Sequence, residues 1–114
     1  MGIVDGERLA AISNVIVTLF AECYGRGPTK AKTYAFDNYL ITVLEDILTT
    51  VERTLVDCGE EDLVRRVRLT FQEATADRFT SEVAAIAGRE VIGYHSQVTF
   101  HPAMGFEIFV LAEE

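Results

Sequence analysis

The chain switches its apolar period twice, from steps of three and four residues to steps of two, and each period-two stretch comes as a pair. Thr33-Tyr34-Ala35-Phe36 and Tyr39-Leu40-Ile41-Thr42-Val43-Leu44 are rich in aromatic and β-branched residues and flank Asp37-Asn38. Such side chains suit a pleated surface, and Asp-Asn tolerates the positive φ of a two-residue turn. The pattern predicts strands at about 31–36 and 39–46. The second pair runs from Glu90 to Phe100 and from Gly105 to Ala112. It places Ile92, Tyr94, Ser96, Val98 and Phe100 on one face, and Phe106, Ile108 and Val110 on one face of the neighbour. His101-Pro102-Ala103-Met104-Gly105 is the expected connection.

Helical spacing fills the rest. From Gly6 to Tyr24, Leu9, Ile12, Ile16, Leu19, Phe20 and Cys23 form one apolar stripe, and Gly25-Arg26-Gly27-Pro28 stops it with a glycine C-cap and a proline. Thr49-Thr50-Val51-Glu52 reads as a capping box opening a helix over about 50–58, which ends near Gly59. Glu60, Glu61 and Asp62 favour the positive end of a longer helix, with Val64, Val67, Phe71, Ala74, Val83 and Ile86 at its apolar positions and Gly88 as its cap.

Strands arranged as hairpins, rather than singly between helices, favour an antiparallel sheet. The expected fold is therefore a two-layer α+β domain spanning 1–114, with a four-stranded, mainly antiparallel sheet, helices on one face and the order α-ββ-αα-ββ. A chain of 114 residues buries roughly two thirds of its unfolded surface, enough for a core without staples.

Charge narrows the partners. With 18 acids against 10 bases, a net charge of −8 repels nucleic acid and anionic membranes, so neither is an expected partner. The N-terminus carries acids where a signal peptide carries bases, and the longest apolar run, Val15 to Ala21, is too short to span a bilayer. A cytoplasmic location without membrane insertion follows as the expectation. Cys23 and Cys58 lack a CxxC spacing and read as unpaired thiols.

A helix running into YGRGP, a hairpin followed by LTTVERTL, a long charged helix and a last strand pair closing on IFVLAEE form a recognisable set. Over roughly Glu7 to Leu111 the chain resembles the bacterial family once described as a domain of unknown function and now named for MpsC, a component of a sodium-translocating, membrane-potential-generating system. Its most specific pieces here are GRGP at Gly25–Pro28 and LTxxExxL at Leu48–Leu55. The resemblance implies an accessory or regulatory piece whose membrane partner moves the ion, because moving sodium directly requires intramembrane helices. It supplies no catalytic residues and implies no cofactor.

Three constellations can carry chemistry. Arg26, Lys30 and Lys32 put three positive charges into an acid-free stretch, and Gly25 and Gly27 let backbone N–H groups approach an anion. GRGP lacks P-loop spacing, however, and follows a helix C-terminus, whose dipole repels anions. Arg26 thus has three candidate partners: a helix carbonyl, a nearby or interfacial acid, or a ligand. His95 and His101 are the only histidines. Without HxxxH or HExxH spacing they are weak metal candidates that need acids such as Glu90 or Glu107, and His95 and Glu107 are placed on adjacent strands. Ser96 beside His95 points to the opposite face of its strand, which excludes a direct nucleophile–base pair. The run Arg65-Arg66-Val67-Arg68 follows Glu60-Glu61-Asp62 at i,i+4 spacing and reads as a solvated ion-pair face.

The leading expectation is a non-enzymatic domain acting through protein contact as a homodimer, because several strands are apolar on both faces while helices cover only one. Its alternative is a regulatory module binding a small anion at Arg26 and Lys30. A third reading is a hydrolase or metal enzyme using His95 or His101.

Overall fold

The computed structural model describes residues 4–113. Helix α1 (Gly6–Tyr24) starts at Asp5, whose side chain accepts from the Arg8 amide at 2.9 Å. It stops at Gly25, where φ of 82° is a left-handed conformation that glycine adopts without a Cβ penalty. Strands β1 (Lys30–Phe36) and β2 (Tyr39–Glu45) form the first hairpin, turning at Asp37-Asn38 with φ of 52° at Asp37. Helix α2 (Thr50–Asp57) carries the capping box: Thr49 Oγ1 accepts from the Glu52 amide at 3.2 Å, and Glu52 accepts from the Thr49 amide at 2.9 Å. Helix α3 (Glu61–Ala87) is capped by Gly88 at φ 72° and by Arg8, which donates to the Ala87 carbonyl at 3.3 Å.

Strands β3 (Val91–Phe100) and β4 (Ala103–Leu111) complete an antiparallel sheet of order β1-β2-β4-β3. The architecture is α+β, in the order α-ββ-αα-ββ. Helix α1 lies on β1, α3 lies on β3 and against α1, and α2 lies on α3. Between the layers, Ile12, Ile16, Leu19 and Phe20 meet Leu40, Leu44, Phe109 and Leu111 of the sheet and Val64, Phe79 and Val83 of α3. Burying each such side chain contributes about 1.5–3 kcal/mol before entropy is charged against it.

The second hairpin differs from the sequence pattern in two ways. Phe100 pairs with Ala103, so the turn is only His101-Pro102 and β4 begins two residues before Gly105. An irregularity between Val91 and Gly93 takes Ile92 off the face shared by Tyr94, Ser96, Val98 and Phe100, leaving it 61% exposed. A bulge adds one residue to a strand and thereby breaks a period-two count. On α3 the buried stripe is Val64, Arg68, Phe79, Val83 and Ala87, while Val67 and Phe71 are displaced to its exposed flank.

Candidate functional site

The sheet's register places four polar residues in one rung beneath the helices. Thr33 faces Thr42, Thr42 faces Glu107, and Glu107 faces Ser96. The rungs on either side, Ala31–Leu44–Gly105–Val98 and Ala35–Leu40–Phe109–Tyr94, are almost wholly apolar. Ser13 of α1 extends the polar rung through a 2.8 Å bond to Thr33, which lies 2.8 Å from Thr42. At its other end, Tyr94 and Ser96 both donate hydroxyl bonds to the Glu107 carboxyl, which is only 1% exposed. Burial pushes the Glu107 carboxyl up to about 7, against the two hydroxyl bonds and the charge of Arg68, which favour the ionised form.

Above this rung lies a buried arginine. Arg68 donates through Nε and Nη2 to the two Glu52 oxygens at 2.7 and 2.6 Å and through Nη2 to the Ile47 carbonyl at 2.8 Å. Its guanidinium sits 4.2 Å over the Tyr24 ring and 5.8 Å from that of Phe20. Burial raises the Glu52 carboxyl, but the Arg68 and Thr49 hydrogen bonds outweigh it and hold Glu52 below the usual range. Burial also pushes the Tyr24 phenol up to about 12.

A cleft of about 230 Å³ opens between α3 and β3 beside these groups, with Phe20, Tyr24, Leu69 and Val98 as apolar walls and Arg65, Arg68, Ser96 and Glu107 as polar ones. It brings together a shielded guanidinium, a buried carboxyl with a pKa raised to about 7 and an aromatic wall.

Sequence reasoning missed Arg68 as a site residue. It belongs not to a solvated face but to the core stripe, four residues after Val64. An arginine at such a core position was the legible signal. The expected i,i+4 pairs are replaced by Arg65 to Asp62 at 2.7 Å. The sequence pattern sets Glu107 beside His95 on adjacent strands, but His95 faces Ile108 from the helix-free face, and Glu107 faces Ser96 on the covered one. A one-position offset puts the two side chains on opposite sides of the sheet.

The GRGP turn holds its arginine internally. Arg26 Nη1 donates to the carbonyls of Asp46 and Leu48 at 3.0 and 2.7 Å, and Nη2 donates to Asp46 Oδ2 at 2.9 Å. Arg53 reaches the other Asp46 oxygen at 3.2 Å. These bonds raise the Arg26 pKa and hold the Asp46 carboxyl below its ordinary value. Gly25 is the α1 cap, and Gly27 passes so close to α1 that a Cβ there lies 2.9 Å from the Val17 carbonyl oxygen. Lys30 and Lys32 stand on the helix-free face opposite Glu45 and Val43, in a depression that Arg26 does not line.

His101 is exposed in its turn, with Nε2 3.8 Å from Glu61. Among the described residues, no three His, Cys, Asp or Glu side chains gather where a metal ion could be held. Cys23 and Cys58 are free thiols.

The helix-free face carries Tyr34, Phe36, Tyr39, Ile41, Val43, Phe106, Ile108 and Val110 in adjoining rungs. Phe36 is 66% exposed. Among the described residues, no helix is long and apolar enough to cross a membrane.

Compared with known proteins, residues 5–113 match the family described as Na+-translocating membrane potential-generating system (MpsC). No curated protein and no solved structure matches the chain.

Proposed function

The chain belongs to the MpsC family, and from that membership and its uncovered sheet face we propose that it is a non-enzymatic accessory domain, one folding unit over 1–114, that works by protein contact as a homodimer. The observation that carries this reading is the apolar helix-free face, since a sheet with one packed side leaves the other to water or to a partner. Charge favours the same face. Among its side chains Lys30 and Lys32 stand against a single acid, Glu45, in a chain of net charge −8, so copies meet where their mutual repulsion is least.

In this reading the domain acts in the cytoplasm, and any sodium movement named in the family's description belongs to a membrane partner. Arg26 serves as a clamp between the end of α1 and the β2–α2 connection, a role supported by its three acceptor groups in Asp46 and Leu48.

Sedimentation at micromolar concentration is expected to give two copies, and Ile108→Lys to give one copy with an unchanged far-ultraviolet spectrum. A wild-type chain that sediments only as a monomer removes the homodimer.

A further inference from the structure

The sheet has two edges, and they are guarded differently. Edge strand β1 carries Lys30 and Lys32, the kind of charge that discourages further pairing. Edge strand β3 carries none: residues 94–100, Tyr-His-Ser-Gln-Val-Thr-Phe, include no acid, lysine, arginine or proline. Beyond it, no further strand pairs with β3 among the described residues.

The cleft runs along that edge. Its lining includes the consecutive residues His95, Ser96, Gln97 and Val98. Side chains on a strand alternate between faces, so four successive residues border one space only where the backbone edge itself forms its wall. The opposite wall is α3, through Arg65, Arg68 and Leu69. A helix beside an open strand edge is the layout in which extended peptides add to a sheet, with alternate side chains entering the groove.

We propose that the β3 edge and this cleft form a docking site for an extended acidic segment of a partner protein, taken up as a fifth strand. The cleft selects for carboxylate. The only carboxyl in its lining, Glu107, is buried and already bonded to Tyr94 and Ser96, whereas Arg65 and Arg68 present guanidinium groups. Nη1 of Arg68 has no acceptor among the described residues, since its other two nitrogens take Glu52 and Ile47. Arg65 is held by Asp62, an exposed pair worth at most about 1 kcal/mol that an incoming carboxylate can replace. Two positions further along such a segment, the next inward side chain meets Phe20, Leu69 and Val98, and a volume of about 230 Å³ accommodates an aliphatic group. The recognised pattern is therefore acid, any residue, aliphatic.

The probe is a blocked hexapeptide of alternating threonine with glutamate, valine and glutamate, titrated into the isotopically labelled full chain to about 1 mM, a range in which weak docking registers. The expected result is saturable movement of the amides of residues 94–99, with slowed exchange at every second one. Lysine in place of glutamate, or Arg65→Ala in the protein, weakens binding by about tenfold. N-methylation of alternate peptide nitrogens abolishes it. The proposal is overturned if these amides stay still, if the N-methylated peptide binds equally well, or if the shifts fall on Phe106 and Ile108. It is also overturned if the amides among them that point away from β4 are already protected without peptide, because a second copy then occupies the edge.

Discussion

Glu107 is a carboxyl placed where a carboxylate is costly, and that cost has a sign. Its pKa is about 7 in the folded chain against an ordinary value near 4.5, so the folded state keeps a proton that the unfolded state has lost. Stability contributed by that proton is complete below the ordinary value and declines as pH rises toward 7. A shift of this size in a group so fully buried corresponds to about 3 kcal/mol. Glu52 and Asp46 shift the other way and lose their stabilisation only as pH falls below the ordinary carboxylate range, outside this window. Urea unfolding of Glu107→Gln beside the wild type is therefore expected to show the variant gaining about 2–3 kcal/mol on the wild type between pH 5 and pH 8. A constant difference across that range contradicts the buried protonated carboxyl. Arg68 presents the converse case: Arg68→Met leaves Glu52 buried without its cation and costs about 3 kcal/mol. Arg65→Ala, three residues away on the exposed side, is expected to cost under about 0.5 kcal/mol. Equal losses from the two variants place Arg68 in solvent.

Elements that end by local rules were legible, and the turn after α1 tests why. Gly27 is needed not for its φ but for contact, because an added Cβ meets the Val17 carbonyl oxygen at 2.9 Å and the Val17 Cγ1 atom at 3.2 Å. Backbone cannot step aside as a side chain tip can, so Gly27→Ala is expected to cost about 1–3 kcal/mol, measured by the shift in urea midpoint. Gly25→Ala strains only the cap at φ 82°, costing about 1 kcal/mol. If Gly27→Ala leaves the midpoint unchanged, the turn does not lie against α1 as described. Capping box, glycine caps and both hairpins are written within a few neighbouring residues and could be read in advance. The rung Thr33–Thr42–Glu107–Ser96 could not be read as a whole, because Thr42 and Glu107, 65 positions apart, meet only once the sheet order sets one hairpin beside the other. Ile92 was misplaced for a related reason: nothing in alternation alone marks where a bulge adds its extra residue.

At the scale of the whole molecule, the uncovered face carries a shape as well as an apolar character. Phe36, the most exposed aromatic, shares a rung with Tyr39, Val110 and Gly93, so one corner of the face is bulky and the opposite corner has no side chain. In the proposed homodimer, a two-fold axis along the strands lays β1 of one copy over β3 of the other and keeps each rung opposite itself. Phe36 then fills the space above the partner's Gly93, and Lys32 stands over the partner's Gln97. An axis across the strands instead stacks β1 on β1 and sets Lys30 against the partner's Phe36, burying a charge against a ring. The first arrangement predicts that Gln97→Glu creates a new ion pair with Lys32. Every contact in a two-fold dimer occurs twice, so two exposed pairs of modest worth tighten association by about threefold to tenfold. Sedimentation over a dilution series reads this directly, and adding Lys32→Ala to Gln97→Glu is expected to cancel the gain. Tightening that survives the loss of Lys32, or no tightening at all, rules out β1 lying over β3 in the dimer.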